Sequence, residues 1–334
     1  MQKTYIEDIA YCPADEFISS ESIETELSEV YDRLKLPYGR IEMQTGIKTR
    51  GVFKNKLPSD ISTEAAKNLF KKSVIKPQDI DLVIHASVCR NFLEPSTASV
   101  VHYNLGLRED CRSFDLSNAC LGVISAIDVA RSMLQQKDVN KILIVTGENS
   151  WPLLSNTMKT ILENKDLTRK TIKKYFANFT IGSAGVALVL NKTAGLATLG
   201  EVYSLSDTQA HTLCQGDGST EALVMETNSE VLMQKGVALA KTAWSHFSQD
   251  KTDFDHILSH QVGIQHRNYL FEQLGLDLHK DYTTFDKYGN TGSAALPLGL
   301  ALAYEEKRFN KNDRIALLGI GSGLHTTMME LKWN

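Results

Sequence analysis

Residues 115–121 read DLSNACL, and the thiol of Cys120 sits between a strand-like run and LGVISAIDVARSML, whose apolar residues recur at helical spacing. A cysteine so placed has two readings. It is a small buried hydrophobe, or it is a nucleophile at a helix N-terminus, where free N–H groups and the helix dipole favour a thiolate. Three further segments bear on the choice. His260 lies in LSHQVGIQH, where a buried strand pattern ends and a helix begins. Asn290 lies in KYGNTGSAALPLGLALA, a Gly-rich turn entering a helix, and taken alone it reads as a turn or N-cap asparagine. GIGSGLH (319–325) offers closely spaced backbone N–H groups, which suit either an oxyanion hole or a tight turn. It lacks the lysine of a phosphate-binding GxxxxGK[ST] loop.

The elements that must position these residues recur. Apolar strand patterns fall at 81–87, 142–147, 184–190, 255–259 and 315–319, and helical patterns at 62–74, 120–136, 229–247, 263–274 and 292–307. Alternating strands and helices give an α/β fold with a mostly parallel sheet. Asp81 and Asp255 are 174 residues apart, Phe114 and Phe285 171, and Ile142 and Ile315 173. Near-constant offsets imply two halves of one length, related by a pseudo-twofold axis. They are divided as 1–183 with the cysteine and 184–334 with the histidine and asparagine. In that arrangement Cys120 corresponds to the 288–291 turn, His260 to the end of the matching strand, and Cys120, His260 and Asn290 converge at the carboxyl ends of strands. The connection 149–183, long, polar and carrying Trp151, breaks the repeat and reads as a cap over a site or an oligomer contact.

The bulk numbers exclude several classes. The chain has 334 residues, 42% hydrophobic and 23% charged, with a net charge of −4. No basic stripe suggests nucleic acid, and no run approaches the ~18 apolar residues of a membrane span. The five cysteines (12, 89, 111, 120, 214) form neither a disulfide framework nor a CxxC metal pair. With no signal-peptide pattern at the N-terminus, a cytoplasmic enzyme with reduced thiols and no metal is expected.

DLSNACLG, SHQVG, YGNTGSAALP and GIGSGL, in that order, resemble the thiolase superfamily of condensing enzymes, and within it the β-ketoacyl-ACP synthase III-like enzymes. The resemblance spans essentially the whole chain. It implies a five-layered αβαβα fold and a homodimer that uses acyl-CoA or acyl-carrier-protein thioesters and no other cofactor. It further implies that Cys120 accepts an acyl group and that His260 and Asn290 stabilise the charge of a second substrate. The oxyanion hole would be the backbone N–H groups of Cys120 and Ser322.

Departures from synthase III sharpen the resemblance. The segment that grips coenzyme A there reads RIEMQTGIKTRG (40–51) here, with Arg40 in place of a Trp and Gln44 in place of an Arg. A Phe-Pro pair that crosses the dimer interface is here Glu94-Pro95, preceded by Phe92 and Leu93. This pattern resembles OleA-type thiolases, in which a glutamate from the neighbouring subunit acts as base on the second acyl chain. Glu94, 26 residues before Cys120, occupies that place. The chemistry gives it a task. A malonyl thioester makes its carbanion by losing CO₂, whereas an ordinary acyl thioester must lose an α-proton to a base. Phe92 and Arg40 are the accompanying substrate-binding candidates. A malonyl-dependent ketosynthase, a hydrolase or acyltransferase on the same Cys–His pair, and a non-catalytic subunit are the alternatives.

Overall fold

The computed structural model describes residues 2–217, 223–249 and 253–334. Nine strands form one extended sheet in two runs. The first run is, in spatial order, Arg112–Leu116, Leu82–Ala86, Lys141–Glu148, Ala184–Asn191 and Tyr5–Cys12. The second, read inwards from the far edge, is His256–Ser259, Arg314–Gly321, His325–Trp333 and Ala197–Ser206. Only two residue pairs, Tyr5 with Thr198 and Ile6 with Ala197, join the runs. The runs have the same order, and an offset of 173 carries Lys141–Glu148 onto Arg314–Gly321 end to end. The fifth strand of the second run is reduced to a single parallel bridge between Ile257 and Asp281.

Alternation along the strands builds the layers. Ile142 and Ile144 face the middle of the molecule, while Leu143 and Val145 face outwards. Likewise Ile315 and Leu317 face inwards and Ala316 and Leu318 outwards. The middle layer is two helices, Gly122–Met133 and Ala295–Glu305, which bury Val123, Ile127, Leu296 and Leu300 between both sheet faces. Helix Pro58–Lys72 covers the first outer face with Ile61, Ala65 and Leu69. Helices Ser229–Phe247 and Ile264–Leu274 cover the second with Val237, Ala240, Leu270 and Phe271. The result is the αβαβα sandwich of the thiolase fold.

Strand Ala184–Asn191 is hydrogen-bonded between Tyr5–Cys12 and Lys141–Glu148, within the first run of the sheet. One expectation is corrected: the sheet is mixed. Leu82–Ala86 pairs in parallel with both neighbours and His256–Ser259 with Arg314–Gly321, but every other ladder in the large sheet is antiparallel. The reason is local: only three residues separate Arg314–Gly321 from His325–Trp333, which makes a hairpin and leaves no room for a crossover helix.

The 149–183 connection folds as helix Trp151–Glu163 and the 3₁₀ segment Thr171–Thr180. Together with Ile23, Leu27, Val30 and Ile41 from the helical segments between 20 and 45, it builds a separate apolar cluster through Leu154, Met158, Ile161 and Phe179. Its end is clipped to the turn that carries Asn290. The Asn290 N–H donates to the Thr180 carbonyl at 2.7 Å, and the Gly182 N–H donates to the Asn290 carbonyl at 2.8 Å. A Cβ at Gly182 would stand 1.9 Å from the Tyr288 carbonyl oxygen, so only glycine permits this approach. Gly182→Ala is therefore expected to destabilise the protein by about 1–3 kcal/mol through overpacking. Thermal unfolding measures this, and an unchanged melting temperature would show that the clip is dispensable.

Candidate active site

Cys120, His260, Asn290 and Ser322 all line one cavity of about 610 Å³. Its walls come from both halves and from the 149–183 connection, which supplies Leu153 and Phe176. The three distant motifs thus meet where the repeat placed them, and the connection covers the site.

Each functional side chain is held by its backbone. Cys120 follows Ala119, a non-glycine residue in the left-handed region (φ +47°), and precedes the helix that starts at Gly122. Leu121 and Gly122 donate back to the carbonyls of Asn118 and Ala119, so the cysteine stands on a tight turn. The 319–323 glycines let the second half press on that turn. A Cβ at Gly321 would meet Leu121 Cγ at 3.1 Å and the Cys120 nitrogen at 3.5 Å, so Ser322 is carried beside the Cys120 amide. His260 follows strand His256–Ser259, and its N–H donates to the Leu318 carbonyl at 2.8 Å. The next residue locks the approach to the asparagine: Gln261 donates to the Tyr282 carbonyl and accepts from the N–H groups of Thr284 and Phe285. Asn290 Oδ1 accepts from the Gly292 N–H at 3.1 Å, which leaves the Asn290 Nδ2 group as a donor.

Burial sets the protonation states. It pushes the Cys120 thiol up to about 12, with smaller contributions from the Glu148 carboxylate and Cys214. It holds His260 down at about 3, reinforced by His266, and His266 down at about 4. The thiolate expected at a helix N-terminus is therefore not the resting species. The physical reason is that the cavity desolvates the sulfur while the first-turn N–H of Val123 is spent on Ser293 Oγ at 2.9 Å. The site rests as a neutral thiol beside a neutral imidazole, whose Nδ1 has no hydrogen-bond partner among the described residues. A neutral imidazole carries one basic nitrogen and one N–H, so it can take the thiol proton and can also donate.

The other candidates lie elsewhere. Arg40 is outside the cavity but stacks on a wall residue, its guanidinium 4.3 Å from the Phe176 ring centroid. Glu94 is exposed and does not line the cavity of its own chain. Phe92 and Leu93 beside it are 52% and 85% exposed. Within one chain, then, Glu94 and Phe92 are not brought to Cys120.

Four lining residues escape the motif reading: Cys89, Glu148, Cys214 and His266. Two of them were within reach of it. Glu148 is a carboxylate ending a buried strand, at the carboxyl end where sites form, and His266 closes the LSHQVGIQH segment.

Comparison with known proteins agrees with this geometry. Residues 248–333 match the family model of the 3-oxoacyl-[acyl-carrier-protein] synthase III C terminal, and residues 35–164 that of FAE1/type III polyketide synthase-like proteins. The acyl-CoA:acyl-CoA alkyltransferase of Xanthomonas campestris pv. campestris is 32% identical over 99% of both chains. Its counterpart from Shewanella oneidensis is 30% identical over 99% of both. The β-ketoacyl-[acyl-carrier-protein] synthase III of Clostridium tetani is 26% identical over 88% of this chain and 89% of that one. A crystal structure of a cysteine-to-alanine variant of Xanthomonas campestris OleA superposes with a TM-score of 0.93 at 32% identity, covering 99% of this chain and 97% of that one. A cysteine-to-serine variant with bound lauric acid and lauroyl-CoA superposes with a TM-score of 0.93 at 31% identity, covering 99% of each chain. Other solved variants of that protein alter one glutamate and one histidine. The altered glutamate precedes the altered cysteine by 26 positions, the separation of Glu94 from Cys120. The chain belongs to the OleA-type, synthase III-like condensing enzymes of the thiolase superfamily.

Proposed function

We propose that this protein condenses two acyl thioesters to a β-keto thioester by a Claisen reaction, in two half-reactions. The observation that carries the reading is the meeting of Cys120, His260 and Asn290 in one cavity, with apolar walls that include Leu153, Met225, Leu232 and Met233. In the first half-reaction, His260 takes the Cys120 proton as the sulfur attacks an acyl-CoA carbonyl. The tetrahedral oxyanion faces the N–H groups of Cys120 and Ser322. The intermediate collapses to acyl-Cys120, and the departing CoA thiolate recovers the proton from His260. In the second, an acyl thioester loses its α-proton, its enolate oxygen is held by His260 and Asn290, and its α-carbon attacks the acyl group. The C–C bond forms as the C–S bond to Cys120 breaks, and the proton removed from the α-carbon restores the thiol.

Glu94 is the base in this reading, supplied by a second copy of the chain. Support comes from its spacing to Cys120 and from the exposed Phe92 and Leu93, an apolar surface that a homodimer would cover. Its cavity would then hold the Phe92 and Glu94 segment of the partner rather than its own. Arg40, stacked on Phe176, suits the anionic groups of coenzyme A, with an acyl carrier protein as the other thioester donor. No group beyond these thioesters is required. No described helix is long and apolar enough to cross a membrane, and reduced cavity thiols suit the cytoplasm.

Mass spectrometry after incubation with acyl-CoA is expected to show one acyl adduct on the native protein and none on Cys120→Ala. An adduct that survives the substitution would defeat the reading. Glu94→Ala is expected to keep the adduct but to lose about 10²–10⁴-fold in condensation with a second acyl-CoA. Condensation with malonyl-CoA should persist, because loss of CO₂ replaces the base. Equal losses with both partners would remove Glu94 from that role.

A further inference from the structure

Glu148 is a buried carboxylate that the two half-reactions above do not use. It ends strand Lys141–Glu148, lines the catalytic cavity and is only 3% exposed. Three backbone N–H groups from different parts of the chain donate to it, and the Cys89 thiol is a further partner. Oε1 accepts from the Val88 N–H at 2.8 Å and the Ser293 N–H at 3.1 Å, and Oε2 accepts from the Cys89 N–H at 3.1 Å. The Asn290 turn is packed on it as well: Gly292, with φ +57°, would carry a Cβ 3.3 Å from Oε1. Ser293 passes the contact on. Its hydroxyl donates to the Ala86 carbonyl and accepts from Val123 N–H, both at 2.9 Å, three residues beyond the nucleophile.

Burial without a cationic partner among the described residues pushes the Glu148 carboxyl up, and an apolar or neutral side chain of similar size would stabilise the fold better. Stability therefore does not account for this residue. What its carboxylate does, and an amide cannot, is accept from three N–H groups on two oxygens. A glutamine would turn its own NH₂ against the Cys89 N–H.

We propose that Glu148 is a positioning residue that fixes the Asn290 turn against the Cys120 helix and the Val88–Cys89 backbone, so that the second acyl thioester meets acyl-Cys120 in register. The inference rests on the two-step reading, because Asn290 serves the second step and not the first. Glu148 also acts on the sulfur through its charge, which together with burial keeps Cys120 protonated. The other titratable and charged groups bordering the same cavity are Cys89, Cys214, His260 and His266, with Lys56, Arg90 and Asp217.

The test uses Glu148→Gln and Glu148→Asp in the full-length protein. It has three readouts: formation of acyl-Cys120, release of β-keto product, and the pH profile of Cys120 alkylation by iodoacetamide. Glu148→Gln is expected to retain the acyl adduct but to lose about tenfold or more in condensation, because the Asn290 turn shifts. Its alkylation midpoint is expected to fall by about one pH unit, because a like charge has been removed. Glu148→Asp keeps the charge but falls short of the three N–H groups, so condensation is lost without the alkylation shift. Wild-type condensation in Glu148→Gln, an unmoved alkylation midpoint, or acylation and condensation falling together with the melting temperature would each overturn the proposal. Absence of any adduct on the native protein instead defeats the two-step reading itself, independently of the alkylation profile.

Discussion

The contact between Gly122 and Ser293 is the constraint on which the rest depends. Gly122 opens one central helix, Ser293 lies in the 3₁₀ turn Gly292–Ala294 that leads into the other, and the two are related by the 171-residue offset of the Phe-Asp pairs. A Cβ at Gly122 would stand 2.6 Å from Ser293 Oγ, so the helices approach as closely as their backbones allow. The serine hydroxyl then fills both roles that the junction demands. It caps Val123 N–H on one side and satisfies the Ala86 carbonyl on the other. The helix that follows Cys120 and the 3₁₀ turn that follows Asn290 are joined here, and both residues line the same cavity as a result.

The same junction explains the electrostatics. A thiol buried at the meeting of two helix starts would ordinarily be acidic. Here the cavity desolvates the sulfur, a carboxylate acts on it and one first-turn N–H is taken by a serine, so the balance reverses. Desolvation acts oppositely on acids and bases: it raises thiols and lowers imidazoles. Cys120, His260 and His266 are all neutral as a result. A neutral pair in an apolar cavity admits an apolar acyl chain without first paying to desolvate an ion pair. Charge then appears only as the thioester reacts, close to N–H groups already fixed in place.

The amount of this that can be read from the sequence follows from how local each feature is. Buried strands such as KILIVTGE and RIALLGIG announce themselves through continuous apolar runs, and the constant offset between them carries the long-range pairing of the halves. That is why Cys120, His260 and Asn290 could be placed together although the first two are 140 positions apart. The neighbours of Ala184–Asn191 are less legible, because a strand does not declare which run it joins, and here it follows the long 149–183 excursion back to the first run. Glu148 went unread because its function depends on donors at 88, 89 and 293, which no spacing rule links. The 92–94 segment is different again. Its residues stand out by type and spacing, but one chain does not bring them to the cavity.

The duplication also shows how equal halves come to do unequal work. The offset that superposes Lys141–Glu148 on Arg314–Gly321 pairs Glu148 with Gly321. Both end a buried strand beside the junction, and each touches the opposite half. In the first half the position carries a carboxylate that reaches out to the Ser293 N–H and steadies the Asn290 turn. In the second it carries no side chain, and the vacated space admits the Cys120–Leu121 turn against the backbone that leads to Ser322. A side chain on one side pulls the asparagine turn into place, and its absence on the other lets the nucleophile in. One strand end thus meets the opposite half through a side chain and the other through bare backbone, so the duplicated halves border the cavity asymmetrically.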